Sequence, residues 1–359
     1  MFIENCKKLL YKRGPVALAC CASVAVGFLG ALLVVHPTVT VVRAAAVRTQ
    51  PFLRTSLKAL PAAASRAQLR VRAVRRTHDP KPKAPTRATI SLYERTTVPS
   101  VFREQGCGAA RRGATGVVIL DFGKPAYDGH TYGTILFSGA FAGNDDITRA
   151  MGAYATGYVR CLAKGSSDRI QLARGTSNYH PSVPSVYKAG RKWAREVMDL
   201  QRALRNASFD GHVTAAAADD VEPAWDPSWW RTRDFYRGYA DSRVGHALYN
   251  YGSLDGGIVS GYWNAHQAFY VTGGMRYARA IPEIYNQTMA REWAALAQVS
   301  KKRYHRPVKF AGVMTEHTPS NHGVKPKDAH RMLVRELAVQ GHGNAPAQVP
   351  AAYTNITSY

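Results

Sequence analysis

From Thr89 onward, short apolar runs alternate with amphipathic stretches. Gly116–Asp121 is continuous, β-branched and closed by a polar residue, which is the pattern of a strand covered on both faces. Seven further segments read as strands: 134–141, 169–178, 213–222, 246–253, 267–272, 280–285 and 308–316. The spacing predicts helices over 144–163, 184–206, 228–241, 287–302 and 327–339. In the second of these, Tyr187, Trp193, Val197, Leu200 and Leu204 recur at helical intervals. Strand–helix alternation favours a parallel sheet. Roughly eight strands in about 250 residues favour a closed (β/α)8 barrel of the TIM type over an open sheet. The expected class is therefore α/β, with the barrel over residues 89–342 and a C-terminal tail over 343–359.

A different pattern precedes it. Lys7, Lys8, Lys12 and Arg13 stand before an uncharged, mostly apolar run at residues 15–35. About 20 such residues span a bilayer, whereas signal-peptide cores run to about 7–15. Residues 1–43 thus read as a short cytoplasmic tip with a membrane anchor or a long signal segment, with Ala44-Ala45-Ala46 as a small-residue cleavage site. Either way the rest of the chain is expected outside the cytoplasm, secreted or anchored by one N-terminal helix. Residues 44–88 are rich in Ala, Arg and Pro and read as a disordered basic linker.

Charge sharpens this division. The 359-residue chain carries a net +24, and residues 1–88 hold 16 Lys and Arg against only Glu4 and Asp79. The basicity belongs mainly to the arm. Residues 43–88 suit attraction to anionic envelope polymers or headgroups; no nucleic-acid partner is expected for an exported segment. The apolar share of 46% is enough to bury a core and excludes a chain disordered throughout. Five Cys are too few for a disulfide scaffold. In an exported chain Cys107 and Cys161 are expected to pair, tying the segment entering the barrel to its first long helix. No His/Cys cluster has metal-ligand spacing, so no metal and no cofactor are expected.

Candidate chemistry collects where strands end. Asp121, Asn178, Asp220, Glu222, Asn250 and Glu316 follow apolar runs, at the end where such barrels carry their sites. The densest signal is Asp219-Asp220-Val221-Glu222 after four alanines, closed by Pro223. On a strand continuing to 222, Asp220 and Glu222 share a face with Cβ atoms about 6.5–7 Å apart. Two neighbouring carboxylates repel and one pKa rises, which suits a proton donor beside an ionised acid. Around this pair, Tyr179, Trp225, Tyr249 and Tyr251 offer aromatic faces for sugar rings, and Asn178 offers hydrogen bonds. Glu283, just after Pro282, reads as a strand start and ranks below Glu316.

An Asp-x-Glu at the tip of a middle barrel strand, here Asp220-Val221-Glu222, resembles the lysozyme-like family 25 glycoside hydrolases and chitinase-type enzymes. It also resembles the glycoside-hydrolase-like barrel domains of secreted actinobacterial proteins. Asp121 in Val-Ile-Leu-Asp-Phe-Gly ends the first strand read from the sequence and matches the family-25 habit of an Asp ending the first barrel strand. The resemblance implies cleavage of a cell-wall or environmental glycan such as peptidoglycan. Glu222 would be the general acid, Asp220 its orienting partner, and Asp121 or Glu316 the second carboxylate. The alternative is a non-catalytic glycan-binding or structural envelope protein, in which the same acids accept hydrogen bonds from sugar hydroxyls.

Overall fold

The computed structural model describes residues 88–259, 261–318, 323–341 and 349–358. The apolar run at 15–35 and the basic segment up to residue 87 lie outside the described residues. Among those that are described, no helix is long and apolar enough to cross a membrane.

Eight parallel strands follow one another around a nearly closed barrel: β1 (Thr89–Tyr93), β2 (Gly116–Asp121), β6 (Ile170–Ser177), β7 (Val213–Asp220), β8 (Leu248–Asn250), β9 (Ala278–Ala280), β10 (Val313–Thr315) and β11 (Tyr353–Ser358). β11 pairs with β1 over five positions, Thr89 with Thr354 through Tyr93 with Ser358. The ring closes between β9 and β10 through isolated bridges at Ala280–Phe310 and Glu283–Met314. Helices fill the connections: α1 (Pro99–Arg111), α2 (Asn144–Cys161), α3 (Val186–Asn206), α4 (Trp230–Asp241), the short α5 (Ala265–Phe269), α6 (Gln287–Tyr304) and α7 (Pro326–Val339). This is the TIM-type α/β class that the alternation predicts.

Four assignments change. Gly116–Asp121 is the second barrel strand, because Thr89–Tyr93 precedes it. Its lumen-side Thr89 and Ser91 are polar, so no apolar run marks it; the Ser91 hydroxyl meets that of Thr354 at 2.6 Å. The run at 134–141 is not a barrel strand. It supplies parts of β4 (Tyr132–Ile135) and β5 (Phe141–Gly143), which with β3 (Lys124–Tyr127) form an antiparallel sheet inserted after β2. The run at 267–272 is helical: Asn264 and Gln267 form a reciprocal capping box, and the Thr272 hydroxyl bonds back to the Ala268 carbonyl at 2.9 Å. The segment set apart as a tail supplies the eighth strand, β11, whose Thr354, Asn355 and Thr357 hide its strand character.

Side chains alternate across each strand. Val117, Ile119, Ala173, Ala216, Ala218, Tyr249, Ile281, Met314 and Ile356 fill the lumen. Val118, Leu120, Leu172, Ala215 and Ala217 face the helix layer. The alanines of β7 leave room for Tyr249 and Tyr251 inside the barrel. Cys107 of α1 and Cys161 of α2 are disulfide-bonded across a separation of 54 residues. Closing a loop of that size removes unfolded-state entropy amounting to about 4 kcal/mol in the chain-entropy account.

Candidate functional site

Strand register brings the chemistry together. Tyr93 pairs with Asp121, Asp121 with Gly175, and Ser177 with Asp220. Asp121 continues the lumen series of Val117 and Ile119, and Asp220 that of Ala216 and Ala218. On the far wall the Glu283–Met314 bridge sets Glu283 beside β10, and Glu316 lies two residues beyond the lumen-facing Met314. The Tyr285 hydroxyl donates to Glu283 Oε1. Tyr251 lies two residues past Tyr249 and is 1% exposed. Asp121, Asp220, Glu283 and Glu316 thus meet Tyr93, Tyr251 and Tyr285 at the C-terminal mouth.

The electrostatics agree with the register. Burial first, then the charges of Asp220, Glu283, Glu316 and Asp121, push the Tyr93 hydroxyl well above its ordinary value. Tyr251 is raised by burial, then by Asp121 and Asp220; Tyr285 by burial, then by Glu283. All three phenols keep their protons across the physiological range. Asp121 is fully buried, and burial lifts its carboxyl to about 7, partly offset by the Gly123 amide at 2.8 Å and by the Tyr251 hydroxyl. A carboxyl of that pKa carries a proton in a large fraction of molecules near neutrality and can give it up. Just behind the mouth, burial lifts Glu94 to about 8; its carboxylate accepts from Gln105 Nε2 at 3.2 Å. Gly175 makes room for this arrangement, since a Cβ there would lie 2.9 Å from the Asp121 Cα.

Of the four acids singled out from sequence, the structure gathers Asp121, Asp220 and Glu316, and adds Glu283. Glu222 lies two residues past the end of β7. β7 ends at Asp220, so the strand alternation invoked for Asp220 and Glu222 does not extend to residue 222. Glu222 is 4% exposed, and its main chain is clamped by one carboxamide: Asn178 Nδ2 donates to the Glu222 carbonyl at 3.1 Å and Asn178 Oδ1 accepts from the Glu222 amide at 3.0 Å. Asn178 therefore spends its side chain holding the β7 tip. Asp219 faces the helix layer, where burial and then Asp121 raise its pKa.

Tyr179 and Trp225, on the loops after β6 and β7, do come together, ring centroids 5.5 Å apart edge to face, with Lys124 Nζ 5.4 Å from the Tyr179 ring. Tyr249 does not reach the mouth. It sits a layer lower, and its hydroxyl donates to Gln171 Oε1 near the start of β6. Tyr251 reaches the acid cluster, but its hydroxyl donates to the Thr176 carbonyl at 3.2 Å. Among the described residues no group of His, Cys, Asp or Glu is arranged to hold a metal ion.

Sequence reasoning missed Tyr93, Tyr285, Glu94 and Phe137. Phe137, on the inserted sheet, packs at 4.8 Å from Tyr93 and is 42% exposed. Tyr93-Glu94 closes the alternating Thr-Ile-Ser-Leu stretch, a signal visible once that stretch is read as a strand. The mouth therefore presents buried carboxyls between two aromatic edges, Phe137 with Tyr93 and Tyr179 with Trp225. Compared with known proteins, the chain matches no protein-family model and no curated protein, so the reading of this site stands on its geometry.

Proposed function

We propose that the barrel hydrolyses a glycosidic bond at its C-terminal mouth by carboxyl acid/base chemistry, on a cell-envelope glycan outside the cytoplasm. The observation that carries the reading is the convergence around Tyr93 of four carboxyl groups, from β2, from β7 and from the segments just after β9 and β10, one of them raised to about 7. Asp121 is the proton donor to the departing oxygen. Glu316, half-buried on the far side of β1, is the second carboxylate, attacking the anomeric carbon or activating water. Asp220 and Glu283 supply negative charge where an oxocarbenium-like centre develops. The aromatic edges stack on neighbouring sugar units. The disulfide supports an extracytoplasmic setting. In that setting the segment at 15–35 would anchor the chain, and the basic segment 43–88 would hold it near anionic polymers.

A second reading, a non-catalytic glycan-binding barrel, draws on burial: Asp121, Asp220, Glu222 and Glu283 are each 4% exposed or less. One experiment separates the two. The full chain is incubated with peptidoglycan, arabinogalactan and chitin fragments, and new reducing ends are scored by mass spectrometry. Hydrolysis is expected, falling by about 10²–10⁴-fold in Asp121→Asn and in Glu316→Gln, the usual loss of a general acid or base. Glu222→Gln runs beside them and loses far less. Binding without new ends would favour the second reading.

A further inference from the structure

Charge is divided between the two ends of the barrel. The connections leading into the strands, with the last helical turn before each, span 108–115, 158–169, 203–212, 238–247, 275–277, 301–312 and 336–341. They hold thirteen Lys and Arg against four acids, Asp168, Asp210, Asp241 and Glu336. Two of the four are already paired in the helix layer, Asp241 with Arg237 and Glu336 with Arg291. Cations in a last helical turn, such as Lys301, Lys302 and Arg303, complement the helix dipole. Arg279 and Lys309 have no such reason. Arg279 pairs with the lumen-facing Tyr249, and Lys309 stands beside it, one step below the Ala280–Phe310 bridge. Burial and then the charges of Arg279 and Arg306 pull the Lys309 ammonium below its ordinary value. Among the described residues none of these three cations makes an ion pair. Like charges set side by side weaken a sheet unless an anion meets them.

Two further observations say what meets them. The segment before Thr89, which carries the apolar run at 15–35 and the basic arm, joins the barrel at this end, because β1 starts there. Val339, the last residue of α7, is 73% exposed on the same face. The other strongly exposed large apolar residues, Val98, Phe137, Trp230, Val259 and Tyr262, lie on segments that follow strands, at the mouth. A bare apolar side chain among cations suits anionic headgroups over acyl chains, and a soluble polyanion gives it nothing to bury against.

We infer that the N-terminal face of the barrel docks on an anionic phospholipid membrane, with Arg279, Arg306 and Lys309 among the headgroups and Val339 at the acyl boundary. The inference rests on the export and anchor expected of residues 1–43, not on the glycan chemistry. Docked this way, the barrel turns Asp121, Asp220, Glu283 and Glu316 away from the lipid, whose negative charge would repel them. The mouth then faces the envelope polymer, and the anchor and the basic face hold one orientation together.

The test puts the full chain on vesicles of phosphatidylcholine alone and of phosphatidylcholine mixed equally with phosphatidylglycerol. A water-soluble acetylating ester labels the lysines, and mass spectrometry reads the rate at each. Lys164, Lys301, Lys302 and Lys309 are expected to react about 10-fold more slowly on the anionic vesicles, whereas Lys188, Lys325 and Lys327, at the mouth end, change by less than about twofold. The protection should fade at high salt. It should also fade at Lys301 and Lys302 in the triple variant Arg279→Gln, Arg306→Gln, Lys309→Gln, and weaken in Val339→Ser. Because the main comparison changes the lipid and not the protein, a misfolded variant cannot imitate it. Equal rates on the two vesicles, protection of the mouth lysines to the same degree, or protection by soluble inorganic polyphosphate but not by vesicles would overturn the proposal. Flotation with phosphatidylcholine vesicles at high salt scores the anchor separately. A chain that fails to float there, yet is protected on anionic vesicles at the lower face alone, keeps the docking surface and loses the anchor.

Discussion

Arg174 and Asp121 are both buried, both ionisable, and sit on adjacent strands one register step apart: Arg174 pairs with Leu120 and Gly175 with Asp121. They face opposite ways. Arg174 points into the helix layer, where its guanidinium donates to Thr148 Oγ1 at 2.8 Å, Asn144 Oδ1 at 2.6 Å and the Asn144 carbonyl at 3.3 Å. It lies 3.9 Å from Glu196 and 4.1 Å from the Trp193 ring. Burial pulls its pKa down to about 10, and Glu196 holds it up, so it stays charged. Asp121 points into the lumen, where the Gly123 amide and the Tyr251 hydroxyl are set against its carboxyl. Arg174 is held by several helix-layer groups and keeps its charge, although its Nε lacks a hydrogen-bond partner; Asp121 is held by fewer groups, and burial raises it toward neutrality. A buried charge tied into the helix layer is architecture, and a carboxyl raised toward neutrality at the mouth is a candidate for chemistry.

This contrast can be broken by substitution. Arg174→Met keeps bulk but leaves Asn144 and Thr148 without the guanidinium donor and takes the cation from beside Glu196. Removing one partner of such a network is expected to cost about 3–5 kcal/mol in denaturant or thermal unfolding. Asp121→Asn should do the reverse. The folded carboxyl titrates near 7 and the unfolded one near its ordinary value, so the folded state holds the extra proton in between, and stability falls as pH rises from about 4 to 7. Asn removes that loss, so the variant should match the parent near pH 4 and exceed it at pH 8. Equal losses for both variants at pH 8 would erase the distinction.

A smaller effect is expected at Gly175, which allows the two environments to lie so close. Gly175→Ala places a methyl group 2.9 Å from the Asp121 Cα and from Ile119 Cγ2. Overpacking of this kind costs about 1–3 kcal/mol. The displaced Asp121 should also lower hydrolysis out of proportion to the small fraction of protein unfolded; a stability loss with unchanged turnover would show that the Asp121 position is not critical.

The smallest concerns Glu94, whose Oε1 and the Gln105 Oε1 both lack partners while Gln105 Nε2 donates to Glu94 Oε2. Glu94→Gln supplies the missing N–H and no charge. Since burial raises the carboxyl's pKa, the parent should weaken from pH 5 to pH 8 and the variant should hold steady. Paired urea melts at the two pH values measure it. A variant that weakens with pH as the parent does would place the titrating group elsewhere.

Much of the mouth was legible from residues alone. Asp121, Asp220 and Glu316 end apolar runs, and a run-ending acid in an alternating α/β chain falls on the barrel's functional end. Glu283 was ranked low because Pro282 looked like a strand opening; in the fold the Pro282 carbonyl accepts from the Met314 amide at 2.8 Å and carries the ladder past it to Glu283. Tyr93 was missed because β1 shows the lumen hydroxyls instead of an apolar run. The alternation argument for Glu222 ran past the end of β7 at Asp220, because a strand pattern does not reveal where the ladder stops.

The sequence by itself determined the class of fold, the pairing of Cys107 with Cys161 and the end of the barrel on which acids gather. The first and the last follow from local periodicity and from the fact that polar residues close buried strands; the pairing follows from the export expected of the chain. Which acids meet, and which tyrosine stands among them, was decided only in three dimensions. Contact across the lumen depends on the register between strands far apart in sequence, and one strand of this ring, β11, lies more than 260 residues from its partner β1. No local pattern encodes that distance. It is set when the whole ring closes and each strand must satisfy two neighbours at once.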